Sequence, residues 1–306
     1  QRLGVVRDDE QVILERNSLP QQGVAVTTIK AREYVPGNDN VGLTVNLGDG
    51  GYAPGACLAR APGNDPFWCP SATNWQRFTM EVVDRVGNDS FVAGHGVLLA
   101  QTRNTGTPRE WLVDANPENI NRIDFYRPDG TPVPVVRGDP RQLDDATFHA
   151  GTNSGSEYEY VDAPNRLHFY VLDIHRDKNG VLFYDVAVRN LDGAGDLQRA
   201  VALDTLNTQS VGDGTTQIRT LLRNTGQAGS GLFDSDVYRL SATVDGAGWS
   251  VHLPYEVRAV EAGEGMPTLA YATAGDGASD SATVTITATS ETDPSKSATV
   301  EVDVTS

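Results

Sequence analysis

Residues 165–189 constrain the fold more tightly than any other stretch of the chain. Leu167, Phe169, Val171 and Asp173 alternate with His168, Tyr170 and Leu172, the period of two that a strand imposes because successive side chains leave opposite faces. After Asp177-Lys178-Asn179-Gly180 the chain returns through residues 181–188 with the same period. Asn-Gly accepts the left-handed backbone of a tight hairpin turn, so the spacing predicts two antiparallel strands joined there. Bulky residues occupy both faces of this ribbon. A strand with one wet face would alternate apolar with polar, so the hairpin is expected inside a sheet covered on both sides and not at an edge.

The same grammar runs through the rest of the sequence. Thr, Val, Gly, Asp and Asn are abundant while Met occurs twice, which favours strands and turns over helices. Val12, Ile13 and Leu14 lead through Pro20-Gln21-Gln22-Gly23 to the β-branched residues 24–29, a pattern that predicts a hairpin. Residues 41–47 read as a strand and the glycine-rich residues 48–55 as a loop. Phe78, Met80 and Val82 alternate with Thr79 and Glu81; a turn at Gly87-Asn88-Asp89-Ser90 follows, then Gly94 and Gly96 bracket His95 before the apolar residues 97–100. Residues 111–114 form a short strand, and Asn116-Pro117-Glu118 opens a single helical turn by the N-cap and proline rule.

Beyond Leu191-Asp192-Gly193-Ala194-Gly195 the strands shorten and recur regularly, at 200–203, 216–223, 236–244, 249–253, 268–273, 281–289 and 298–304. Val284, Ile286 and Ala288 face inward against Thr283, Thr285 and Thr287; Trp249, Val251 and Leu253 share a face and put His252 at the surface. The expected architecture is all-β: a β-sandwich or jelly-roll-like domain over residues 1–195, then an immunoglobulin-like sandwich over residues 199–306.

Charge narrows the partners. With 41 Asp and Glu against 24 Lys and Arg the net charge is −17, and a nucleic acid or an anionic membrane surface needs clustered cations that such a chain lacks. No apolar run reaches the roughly 18 residues of a membrane helix, so no membrane insertion is expected. The first residues are too charged for a signal peptide, so the chain reads as processed or cut from something longer. Cys57 and Cys69 flank a loop rich in Pro, Gly, Asn and Asp, with Arg60 the one basic residue between them and no His near. A disulfide in an oxidising, extracellular compartment is the expectation, worth about 3 kcal/mol in the chain-entropy model. Both thiols should alkylate only after reduction; two freely alkylated thiols in the native protein would overturn the pairing.

Candidate sites are sparse. Gly-Asn-Asp occurs three times, ending in Asp39, Asp65 and Asp89. These carboxylates are calcium candidates, or simply turn residues that tolerate left-handed backbone, and no run has the D-x-[DN]-x-[DN]-G spacing. His168 and His175, with Asp173 and Asp177 close by, can be weighed as metal ligands, but no third ligand is fixed by spacing. Asp144-Asp145 and the pair Glu157 and Glu159 read as solvated surface before they read as acid and base. His95, between two glycines that permit close backbone approach, is the residue to watch for binding. HExxH, HxxEH, GxSxG, P-loop and GxGxxG patterns are all missing.

Several of these stretches together carry a resemblance. Glu81-Val82-Val83, then Arg85-Val86-Gly87-Asn88-Asp89-Ser90, Gly96-Val97-Leu98-Leu99, Val113-Asp114-Ala115 and Asp145-Ala146-Thr147-Phe148 resemble, in that order, the segment after the catalytic helices in secreted zinc metallopeptidases of the immune inhibitor A type. The run from Asp236 to Ala242, the Gly248-Trp249 pair and residues 288–296 resemble the sandwich modules appended to secreted bacterial hydrolases. The resemblance implies a non-catalytic accessory region whose zinc domain lies upstream. Its expected partners are that domain and an extracellular protein or cell-surface ligand. The alternative is a free-standing structural or adhesive β-protein, in which self-association through an exposed strand edge is expected.

Overall fold

The computed structural model describes residues 8–34, 37–53, 73–90, 94–103, 109–116, 124–126, 132–134 and 146–306. Among these the one α-helix is the single turn α1 (Leu19–Gln22), and the architecture is all-β. The chain forms two compact units. The first comprises Gln1–Pro20, Thr27–Ala150 and Ser154–Asp192, the second Gln21–Val26, Gly151–Asn153 and Gly193–Ser306.

The first unit is built from β1 (Val12–Glu15), β2 (Ala25–Lys30), β3 (Gly42–Tyr52), β4 (Thr73–Val83), β5 (Gly96–Arg103), β6 (Arg109–Leu112), β7 (Asp124–Tyr126), β8 (Pro132–Pro134), β9 (Thr147–Phe148), β10 (Glu159–Asp162), β11 (Leu167–Arg176) and β12 (Leu182–Asn190). One sheet runs β1-β3-β4-β5-β6 with β9 also on β5, a second runs β10-β11-β12-β2, and β7 pairs β8 in a small ribbon. Phe78 of β4 and Phe169 of β11 meet inside the unit, ring centres 4.9 Å apart. The hairpin β11–β12 lies inside its sheet, and Leu167 through Leu172 are all buried, as bulky residues on both faces require. Its turn is closed by Asp177, whose carboxylate accepts from the backbone N–H groups of Asn179 and Val181.

Two expectations fail here for identifiable reasons. β1 and β2 are not a hairpin: Leu19 is fully buried in the helical turn between them, β1 pairs in parallel with β3, and β2 joins the other sheet. The glycine-rich residues after Leu47 are not a loop either. β3 continues through Tyr52 with a register shift against β4 between Asn46 and Gly51. Glycine serves close approach there, since a Cβ on Gly51 would lie 2.0 Å from the Trp75 carbonyl oxygen.

The second unit holds β13 (Val201–Gly212), β14 (Thr215–Asn224), β15 (Ser235–Asp245), β16 (Trp249–His252), β17 (Val257–Glu261), β18 (Gly265–Ala274), β19 (Ser281–Ser290) and β20 (Ser297–Thr305). These form two four-stranded sheets, β13-β14-β18-β16 and β17-β15-β19-β20. Leu203, Ile218 and Leu222 from the first sheet share one core with Tyr238, Leu240, Val284, Ile286 and Val302 from the second, so the unit is a β-sandwich. Trp249 enters that core and its indole N–H donates to the Ser279 carbonyl at 2.9 Å. Eight strands stand where seven were expected. The additional one, β17, buries only Val257 and Val260, a spacing of three that hides its strand character from a period-two reading.

Candidate functional site

The pairing of β9 on β5, Val97 opposite Phe148 and Leu98 opposite Thr147, brings together two histidines that are remote in sequence. His95 precedes β5 and His149 follows β9. Gly96 makes the approach possible: a Cβ there would sit 2.8 Å from the Thr147 Cβ and 2.9 Å from the Phe148 carbonyl oxygen. The two rings meet edge to face, centres 5.2 Å apart and planes at 79°. Both side chains are half-buried.

Tyr184 of β12 orients one of them. Its hydroxyl lies 3.0 Å from His149 Nδ1, a hydrogen bond whose direction follows the tautomer. Among the described residues neither His149 Nε2 nor either nitrogen of His95 has a hydrogen-bond partner. Burial, with the charge of His95 as the second cause, pulls the His149 pKa down to about 4, so this imidazole is neutral at pH 7. Asp84 interacts electrostatically with His95. Arg176 donates to both of its oxygens, Nη1 to Oδ2 at 2.7 Å and Nη2 to Oδ1 at 3.0 Å. Those hydrogen bonds, against the opposing effect of burial, hold the carboxyl below its ordinary pKa, helped by the Arg85 N–H and the positive charges of Arg176 and His95. The cluster therefore presents the neutral His149 imidazole and the His95 ring beside a carboxylate already paired with an arginine.

The other candidates are held by different partners. Asp39 accepts from Lys30 Nζ at 3.0 Å on an exposed surface. Asp89 is buried, and Arg32 grips both of its oxygens, Nε to Oδ2 at 2.7 Å and Nη2 to Oδ1 at 2.9 Å, while Nη1 reaches Glu81 at 3.1 Å. A cation at either aspartate would have to displace a side chain already there. Asp65, Cys57, Cys69 and Asp144-Asp145 lie outside the described residues. His168 is buried between Glu159 (2.9 Å) and the hydroxyl of Tyr170 (2.8 Å), which in turn accepts from Arg189 Nε. His175 instead stacks on Phe183, ring centres 5.2 Å apart. These two histidines are thus committed to separate contacts. His252 is exposed and bonded to Asn153.

All five histidines of the chain, at 95, 149, 168, 175 and 252, fall within the described residues. Among those residues no group of three or more His, Cys, Asp or Glu is placed to hold a metal ion. A hydrolytic zinc needs about three protein ligands and an open position, and the histidines here do not fit that requirement.

Two family models match this chain, one described as a middle domain over residues 2–191 and one described as a Peptidase M6-like domain over residues 203–306. A protein of the fungus Arthroderma benhamiae, named by inference as a secreted metallopeptidase, is 40% identical over 323 residues covering 99% of this chain. The chain spans 46% of that relative's length. It belongs to the metallopeptidase-related family defined by this middle domain and Peptidase M6-like domain.

Proposed function

We propose that this chain is the non-catalytic accessory region of a secreted zinc metallopeptidase of the immune inhibitor A type, buttressing the zinc domain and holding substrate or a cell surface. The carrying observation is the inventory of ligands in residues 203–306. The segment matched to the Peptidase M6-like domain contains one histidine, His252, and no cysteine, and that histidine is exposed and bonded to Asn153. Peptide hydrolysis by zinc needs about three ligands brought together, and among the described residues no three His, Cys, Asp or Glu are so placed, so on this reading the chemistry belongs to the part of the relative that the chain does not span. An extracellular location follows from the same relationship. The purified chain is expected to leave casein and quenched-fluorescence peptides intact with or without added zinc. Chelator-sensitive hydrolysis overturns the reading.

One observation favours a self-associating structural protein instead. β13 is an edge strand, exposed from Asp204 to Gly212, with Leu206 and Val211 46% and 49% exposed. Against it, register shifts fall at those same two residues, and bulges on an edge strand disrupt the ladder that a second copy would extend. A monomer by sedimentation equilibrium leaves the accessory reading in place, and concentration-dependent oligomers favour the structural one.

A further inference from the structure

We propose that His95 and His149 form a two-imidazole site for a divalent d-block cation, separate from any hydrolytic zinc centre and completed by water.

Ring spacing together with the nitrogens left without hydrogen bonds among the described residues carries the argument. A d-block ion lies about 2.0–2.1 Å from an imidazole nitrogen, hence about 3.2 Å from the ring centre, and two rings on one tetrahedral ion have centres about 5.2 Å apart. The centres of His95 and His149 are 5.2 Å apart. The available atoms agree with this. His149 is oriented through Nδ1 by the Tyr184 hydroxyl, the outer contact that fixes tautomer and ring plane in histidine metal sites, and its Nε2 remains for an ion. His95 has no hydrogen-bond partner among the described residues, so its ring can turn to present either nitrogen. Imidazole ligands suit zinc, copper and nickel, whereas calcium prefers oxygen. The surrounding charge is nearly balanced: Asp84 lies close enough to His95 to feel its charge, and Arg176 holds that carboxylate with two hydrogen bonds. Two protein ligands make an exchangeable site, one that binds an ion without building the three-ligand centre of a hydrolase.

Imidazole nitrogen NMR of the full chain, titrated with zinc chloride alone, tests this. The signals of His95 and His149 should move together and saturate at one equivalent, while those of His168, His175 and His252 stay in place. His95→Gln and His149→Gln should each weaken zinc binding by at least roughly tenfold, and Tyr184→Phe by about tenfold through loss of the orienting hydroxyl. His95 is half-buried outside any strand, so His95→Gln tests the ligand role without threatening the fold. Zinc binding that is unchanged in His95→Gln, or equal shifts at the exposed His175 and His252, overturns the proposal. The readout is binding, so it stands or falls apart from the hydrolysis assay above.

Discussion

Replacing Arg32 by alanine is expected to destabilise the first unit by about 3–5 kcal/mol. The reason is the carboxylate left behind. The Asp89 side chain is 8% exposed, and both oxygens are held by Arg32. Burial alone would lower the pKa of the Arg32 guanidinium, but its hydrogen bonds and charge interactions with Asp89 and Glu81 outweigh burial, and the net shift is upward. Removing the arginine strands a buried charge beside the partly exposed Glu81, whereas removing the charge together with the arginine does not. Arg32→Ala with Asp89→Asn should therefore recover a substantial share of the loss. Arg32→Lys should recover little, because an ammonium cannot reproduce the two-pronged grip. Urea unfolding followed by far-UV circular dichroism measures all three variants. Equal losses in the single and double variants would refute the buried-charge account, and the result also shows whether Asp89 serves as an anchor of the fold.

In the second unit the largest effect is expected at Trp249. Truncation to alanine removes the largest side chain of the sandwich core, 8% exposed and packed among residues of both sheets, and should cost about 3–5 kcal/mol. Trp249→Phe separates packing from hydrogen bonding. It keeps much of the buried area but leaves the Ser279 carbonyl without its indole donor, a loss of about 1–3 kcal/mol if that oxygen stays buried. Guanidinium unfolding of the full chain, with the transition of the second unit followed by circular dichroism, distinguishes the two variants. If Trp249→Ala loses less than Trp249→Phe, the indole is not part of the core as described.

What the amino-acid sequence determined by itself was local. The alternation through Leu167, Phe169 and Val171 named β11 as a strand buried on both faces, and that of Val284, Ile286 and Ala288 named the inward face of β19. Both readings rest on a two-residue repeat that needs no knowledge of the rest of the chain. The missing HExxH and GxSxG patterns were equally legible, and so was His95 between its glycines. Tertiary structure decided which strand lies beside which. β1 and β2 look alike in sequence yet enter different sheets, because the buried Leu19 and its helical turn redirect the chain between them. The same nonlocal pairing placed His149 against His95, gave Asp89 the arginine at position 32, and buried Asp236 among Ser290, Thr292 and the Val237 N–H, where burial raises its pKa against those hydrogen bonds. A side chain's own strand fixes the face it occupies, but its partner is fixed by sheet register, which depends on distant residues competing for the same edge.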